Sequence, residues 1–443
     1  MAKALTLRIL KATSLLGSSQ GINMVCSVVR MKVLALLVGP EGVGLFGALS
    51  QAADMIGNLS QMNIRTSAVP QLSAAPPGRF DAMLIAVRRY GRLLGLIGTV
   101  VMFLLAPWLS TFTFSSDEYA WAYRITALSL MLVALQASEL VVLQATSRYR
   151  PIAAAGLFTA LTGMPLAIAL YYLFGVGGVA PGIVGYSLLA WIGAMWFTRG
   201  QNPVGPKPPW SRSLRLGFGF IKVGALLTLT SLVGDGVNFL FISFIGKGGG
   251  DAVGFYQAGY KMVWNYTGVF FMAFSMEFYP RLARTIHNSR HCSLLISHQA
   301  IVSAAVLSVG AVAVVALAQW LLPLLYTGEF VGAIPYVRWG MVGMAIRPLS
   351  LSMSYSFLAA GRSRVYCITE ILSAICGFLI NVAGYSLAGL TGLGMATAVW
   401  MLLELIIILV SARLSGAPMP LPRAIALSLI APLPALILAL SLT

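Results

Sequence analysis

This chain is a succession of long apolar stretches in which positive charge occupies only every second gap. Twelve stretches are long enough to cross a bilayer, near 12–37, 43–64, 84–112, 120–145, 151–173, 178–198, 216–245, 253–276, 296–322, 333–358, 366–388 and 391–412. A crossing needs roughly 20 apolar residues. Lys3, Arg8 and Lys11 precede the first stretch, and Arg65, Arg79, Arg88, Arg89 and Arg92 cluster around the gap between the second and third. Arg148 and Arg150, then Arg199, Lys207, Arg212 and Arg215, then Arg281, Arg284 and Arg290, then Arg362 and Arg364, then Arg413 and Arg423 fill the later even-numbered gaps. These are 21 of the 29 lysines and arginines, and the intervening gaps hold little beyond Glu41, Asp117, Glu118, Lys247, Asp251 and Glu329. Lysine and arginine are retained on the cytoplasmic side of a membrane. The pattern therefore predicts an all-α polytopic membrane protein with a cytoplasmic N-terminus.

The balance of residues excludes the competing readings. With 58% hydrophobic and 9% charged residues and a mean hydropathy of +0.87, the chain cannot cover itself with a water-soluble surface. A net charge of +17 is compatible with a nucleic-acid partner, but short basic loops beside an anionic leaflet account for it better. No nucleic acid is expected. Cys26, Cys292, Cys367 and Cys376 imply no disulfide framework.

The two halves of the sequence repeat. GVGLFGALSQ from Gly42 aligns with AVGFYQAGYK from Ala252, and VPQL with YPRL through Pro70 and Pro280; both pairs are 210 residues apart. Each half holds an even number of stretches, so the copies share one orientation. Two six-helix lobes related by a pseudo-two-fold axis along the membrane normal are expected. The lobes are 1–199 and 216–413, joined by a cytoplasmic linker at 200–215. The tail 414–443 holds a Pro-rich linker and one more apolar segment, 424–442, which Pro432 and Pro434 should kink.

Three polar stripes interrupt the apolar stretches. Gln20, Asn23, Ser27 and Arg30 fall at spacings 0, 3, 7 and 10, an arc of about 80° at 100° per residue. Thr228, Ser231, Asp235 and Asn238 repeat that spacing 208 residues on, and Gln51, Asp54, Asn58 and Gln61 repeat it again. Lys261 is the repeat partner of Gln51, and Arg347 heads a further set with Ser350 and Ser354. Helix–helix hydrogen bonding is the plain explanation of the neutral positions. A charged side chain in the hydrocarbon costs roughly 2.5–3.5 kcal/mol or more, so Arg30, Asp54, Asp235 and Arg347 must meet water, one another or a ligand. The stripes of the first and seventh spans are expected to face each other. Glu139, Glu370 and Glu404 are isolated acids, each readable as a proton-linked carboxylate or as a helix-end charge.

Other motifs fail on context. GVGLFG at Gly42 has the glycine spacing of a dinucleotide loop but follows no strand. His287, His291, Cys292 and His298 lack a second ligand pair, and no Walker A motif is present. No metal or cofactor is expected, and no catalytic set is evident.

The segment Lys11 to Gln51 resembles the first two helices of bacterial lipid-linked oligosaccharide flippases, the translocases of O-antigen and enterobacterial common antigen, in the multidrug/oligosaccharidyl-lipid/polysaccharide exporter superfamily. The resemblance rests on Val29, Arg30, Lys32, Leu34, Ala35, Gly39, Pro40, Gly42, Gly44 and Leu45. It implies two six-helix lobes in a V with the first and seventh helices lining a cationic cavity. It implies a transporter, not an enzyme, of the bacterial inner membrane. The substrate would be an undecaprenyl-diphosphate-linked oligosaccharide, moved from the cytoplasmic to the periplasmic leaflet beside a polysaccharide polymerase and a chain-length regulator. In that setting Arg30, Arg347 and Lys261 would hold the diphosphate. Gln20, Asn23, Ser27, Asn58, Gln61, Ser231 and Asn238 would meet sugar hydroxyls. Asp54, Asp235 and Glu139 would couple the cycle to an ion or brace the basic residues. A cation-coupled multidrug exporter of the same superfamily is the alternative, and a membrane-embedded glycan-modifying transferase a third reading.

Overall fold

The computed structural model describes residues 2–62, 64–73, 75–146, 148–201, 208–247, 249–285 and 288–442, with some side chains inside the helices, those of Gln20, Arg65 and Ser231 among them, outside the described set. Among the described residues there are helices and no strands. Helices α1 (Ala2–Gln61), α2 (Ile64–Ser73), α3 (Pro77–Phe114), α4 (Ala120–Ala145), α5 (Tyr149–Phe174) and α6 (Val179–Thr198) come first. Then follow α7 (Trp210–Gly246), α8 (Gly250–Tyr260), a π-helical turn (Lys261–Tyr266), α9 (Thr267–Thr285), α10 (Ser289–Leu325), α11 (Ile334–Ala359), α12 (Ser363–Ser415), α13 (Pro422–Ile430) and α14 (Leu433–Ser441). Among the described residues seven helical runs are long and apolar enough to cross a membrane; Arg150–Gln201 and Arg364–Ser415 each contain two of the expected spans, and Gly21–Gln61 covers parts of two.

Two of these long helices are hairpins. In α1 the break is at Gly39, whose φ of 72° only glycine adopts without strain, followed by Pro40, which has no N–H to continue the ladder. The Arg30 guanidinium lies 5.3 Å from the Phe46 ring. Sixteen residues of straight helix would hold them about 24 Å apart, so the chain turns back at Gly39. In α12 the break is at Ala388 and Gly389. Trp400 Nε1 donates to Ser373 Oγ at 3.0 Å, across a separation of 27 residues that would be about 40 Å in a straight helix. Glycines let the arms of α12 approach: a Cβ on Gly392 would sit 2.0 Å from the Gly384 carbonyl oxygen, and one on Gly377 would sit 2.3 Å from the Trp400 ring.

The chain divides within α8 into two compact units, Met1–Val253 and Gly254–Thr443. The sequence places a boundary between lobes at 200–215, but α7 packs with the first unit, on α1, α2 and α3. Its near end is anchored by Arg89, which donates to the Pro208 carbonyl (2.6 Å) and Ser213 Oγ (2.8 Å), and by Tyr90, whose hydroxyl donates to the Leu214 carbonyl (2.7 Å). In the second unit α11 is almost wholly buried, between α10 and α12. That burial shields the polar residues of α11 from lipid: Ser350 donates to Glu404 on α12, and Ser352 and Ser356 donate to the Pro348 and Met353 carbonyls of α11 itself. The segment 424–442 is helical and broken by a turn at Ala431–Pro432, as the prolines predict, and it packs on α10 and α11.

Candidate functional site

In the first unit, two of the three polar stripes meet. The stripe on the second arm of α1 faces α7, and the contacts are amide to acid and amide to amide. Asn58 Nδ2 donates to Asp235 Oδ2 at 2.7 Å, Asn238 Nδ2 donates to Gln51 Oε1 at 2.9 Å, and Gln51 Nε2 reaches the Asp235 carbonyl at 3.4 Å. Asp54, on the same face of α1, is exposed and close enough to Asp235 for the two carboxylates to repel. Asp235 is therefore braced by amides, not by an arginine. Gln61 is half-buried at the end of α1.

The stripe on the first arm of α1 points elsewhere. Asn23 lies against α5, where a Cβ on Gly156 would be 3.1 Å from Asn23 Nδ2, and Ser27 is exposed. Of the described stripe residues on α1, those that hydrogen-bond to α7 lie on the second span. Reversal of the chain at Gly39 lays the two arms side by side and leaves one of them to cover α7. Gln20 and Ser231, the remaining stripe residues proposed for binding, have side chains outside the described residues.

Arg30 sits between aromatic rings. Its guanidinium carbon is 4.5 Å from the Tyr186 centroid on α6 and 5.3 Å from Phe46 on the returning arm of α1. In the second unit Arg347 has the same surroundings, 4.8 Å from Trp264 and 5.5 Å from Phe271. Nε of each arginine is buried with no hydrogen-bond partner, and among the described residues no carboxylate is within ion-pair distance of either. Ring faces carry negative quadrupole charge, so they offset part of the cost of burying a guanidinium without consuming its N–H fork. Trp264 belongs to the π-helical turn that Lys261 begins. Such turns insert an extra residue into a helix and re-aim the side chains around it.

The three isolated acids separate into different roles. Glu139 on α4 accepts from Arg88 Nη2 on α3 at 2.6 Å, the one ion pair among the described residues, with side chains 12% and 17% exposed. Glu404 is buried and is held by hydroxyls, accepting from Ser350 (3.0 Å) and Ser373 (3.4 Å). Glu370 is exposed on the first arm of α12. The aromatic partners of the arginines and the serines around Glu404 are invisible to a scan for charged stripes, because Phe46, Tyr186, Trp264 and Phe271 read as ordinary apolar span residues. The one available cue was that two in-membrane arginines lacked a facing acid at helical spacing.

Comparison with known proteins adds the fold and the family. The sequence profile of the family described as "Polysaccharide biosynthesis protein" matches residues 9–286. A search of curated protein sequences finds no significant match. Among solved structures, the chain is similar to the lipid II flippase MurJ in an inward closed conformation, with a TM-score of 0.72 at 12% identity over 96% of this chain and 97% of that one. It is also similar to an outward-facing multidrug resistance MATE family transporter of the MOP superfamily, with a TM-score of 0.63 at 14% identity over 94% and 96% of the two chains. A MOP superfamily transporter from Pyrococcus furiosus gives 0.62 at 15% identity, over 94% and 96%. These likenesses establish an all-α, multi-pass membrane fold.

Proposed function

The chain belongs to the polysaccharide biosynthesis protein family, and we propose that it flips an undecaprenyl-diphosphate-linked oligosaccharide from the cytoplasmic to the periplasmic leaflet of a bacterial inner membrane by alternating access. The observation that carries this reading is the pair of arginines held by aromatic rings, with no carboxylate within ion-pair distance among the described residues. A guanidinium braced by carboxylates is already neutralised; one braced by rings keeps its donors for an anion. Two phosphate oxygens match the planar fork of arginine. The amide ladder of Gln51, Asn58 and Asn238 supplies donors and acceptors of the kind sugar hydroxyls need. Lys261 and Gln61 add a third cation and a further amide, and the lipid tail stays in the bilayer while the head group crosses. In this setting the N-terminus is cytoplasmic and the partners are the lipid carrier, a polymerase and a chain-length regulator.

The test is export of lipid-linked glycan in cells and in proteoliposomes. Arg30→Ala and Arg347→Ala should each lower transport at unchanged protein level, and Arg→Lys should retain part of it. Loss of one or two charge-assisted hydrogen bonds, at about 1.5–3 kcal/mol each, corresponds to tenfold or more. Export that survives both alanine substitutions refutes the reading.

One observation favours a cation-coupled multidrug exporter instead: Asp54 is exposed beside Asp235, an arrangement that could take a cationic guest. Drug efflux that is abolished by Asp54→Asn and untouched by Arg347→Ala would select that reading.

A further inference from the structure

The last apolar segment is fastened at both ends, and its two fastening points lie at opposite ends of neighbouring helices. Leu421, just before α13, donates its backbone N–H to Ser297 Oγ at 2.7 Å. Ser297 is in the third turn of α10, the end that follows the basic gap with Arg281, Arg284 and Arg290. At the other end, the Leu442 carbonyl accepts from Arg338 Nη1 at 2.7 Å. Arg338 is in the second turn of α11, beside the far end of α10 and the connecting residues 326–333, which hold Glu329 and no lysine or arginine.

Between these points α13 and α14 both pack along α10 and on α11. Ala424, Ser428, Ala435 and Ala439 make the buried face, while Leu427, Ile430, Leu433, Ile437 and Leu440 are exposed, as side chains facing lipid would be. The break at Ala431–Pro432 bends the segment without reversing it, because a reversal would return Leu442 to the Ser297 end. The 20 residues Pro422–Ser441 are about 30 Å long as helix, the thickness of the hydrocarbon layer.

We infer that α13 and α14 together form a thirteenth crossing, which carries the C-terminus to the face of the membrane opposite the basic gaps and straps the outer end of α11 through Arg338. Twelve crossings return Arg413 to the side of Lys3, Arg8 and Lys11, and the thirteenth ends on the other side. The C-terminus is then periplasmic while the N-terminus is cytoplasmic. This inference does not depend on the substrate.

The protein is expressed in cells with alkaline phosphatase or green fluorescent protein fused after Thr443 of the full chain, or after Gly416 of a chain ended there. Phosphatase activity without fluorescence is expected at 443, and the inverse at 416. Independently, a single cysteine is added after Thr443 in a chain with Cys26, Cys292, Cys367 and Cys376 replaced by serine. A membrane-impermeant maleimide should label it in intact spheroplasts. Labelling only after permeabilisation, or reporters at 443 that behave as those at 416, overturns the inference and makes 422–441 a hairpin held in one leaflet.

Discussion

Replacement of Glu139 by alanine separates a bracing role from an ion-coupling one. In the structure this acid is committed to Arg88 at 2.6 Å, with both side chains mostly buried. At an effective dielectric near 20, opposite charges at that separation attract by about 6 kcal/mol before desolvation is subtracted. Removing one partner of a buried pair leaves the other charge uncompensated and typically costs about 3–5 kcal/mol. Glu139→Ala should therefore destabilise the α3–α4 interface by an amount in the lower part of that range, since Arg88 can turn toward the cytoplasmic interface. Glu139→Gln, which keeps an acceptor for Arg88, should cost less. Replacing both residues by leucine should recover most of the loss, because the penalty belongs to the orphaned guanidinium. Thermal unfolding of detergent-solubilised protein, followed by fluorescence-detected size exclusion, measures all three variants beside wild type. A Glu139→Ala protein that is as stable and abundant as wild type yet has lost transport would refute the bracing role and return Glu139 to the coupling machinery.

Four further outcomes follow from the geometry. Trp264→Leu removes the nearer ring from Arg347 and should weaken transport about twofold to thirtyfold, the range of a 0.5–2 kcal/mol cation–π contact, with the protein level unchanged. Asn58→Asp places a third carboxylate at the 2.7 Å contact with Asp235, and transport should fall more steeply with rising pH than for Asn58→Leu, because the added acid repels only when ionised. Gly392→Val forces the arms of α12 apart, since a Cβ there would sit 2.0 Å from the Gly384 carbonyl oxygen, and should lower the thermal midpoint markedly, whereas Gly200→Ala, at an exposed site where a Cβ meets nothing within 4 Å, should not. Truncation after Gly416 removes the strap on α10 and α11 and should lower the thermal midpoint while sparing transport more than loss of any earlier span does; a stably inserted truncation with no transport would contradict the peripheral role.

The class of the protein was legible in the sequence because it follows from the chain's one-dimensional chemistry. Apolar runs near 20 residues must cross, basic gaps must stay on one side, and the short gaps at 38–42 and 389–390 separate the expected spans that α1 and α12 carry. The prolines at 432 and 434 likewise announced the break between α13 and α14. What the sequence left open is what depends on rotation of one helix against another. Periodicity shows that Gln51, Asp54 and Asn58 share a face with each other, and that Asp235 and Asn238 share another. It cannot show that these two faces meet while the stripe of Asn23 and Arg30 turns to α5 and α6. Nor can it show which apolar residues stand over a guanidinium. Phe46, Tyr186, Trp264 and Phe271 have no spacing that distinguishes them from lipid-facing aromatics, and only the folded arms of α1 and the π-helical turn bring them within 6 Å of Arg30 and Arg347. The spans are set by transfer free energy, residue by residue, which a sequence contains; the site is set by packing between segments distant along the chain, which exists only once the helices have docked.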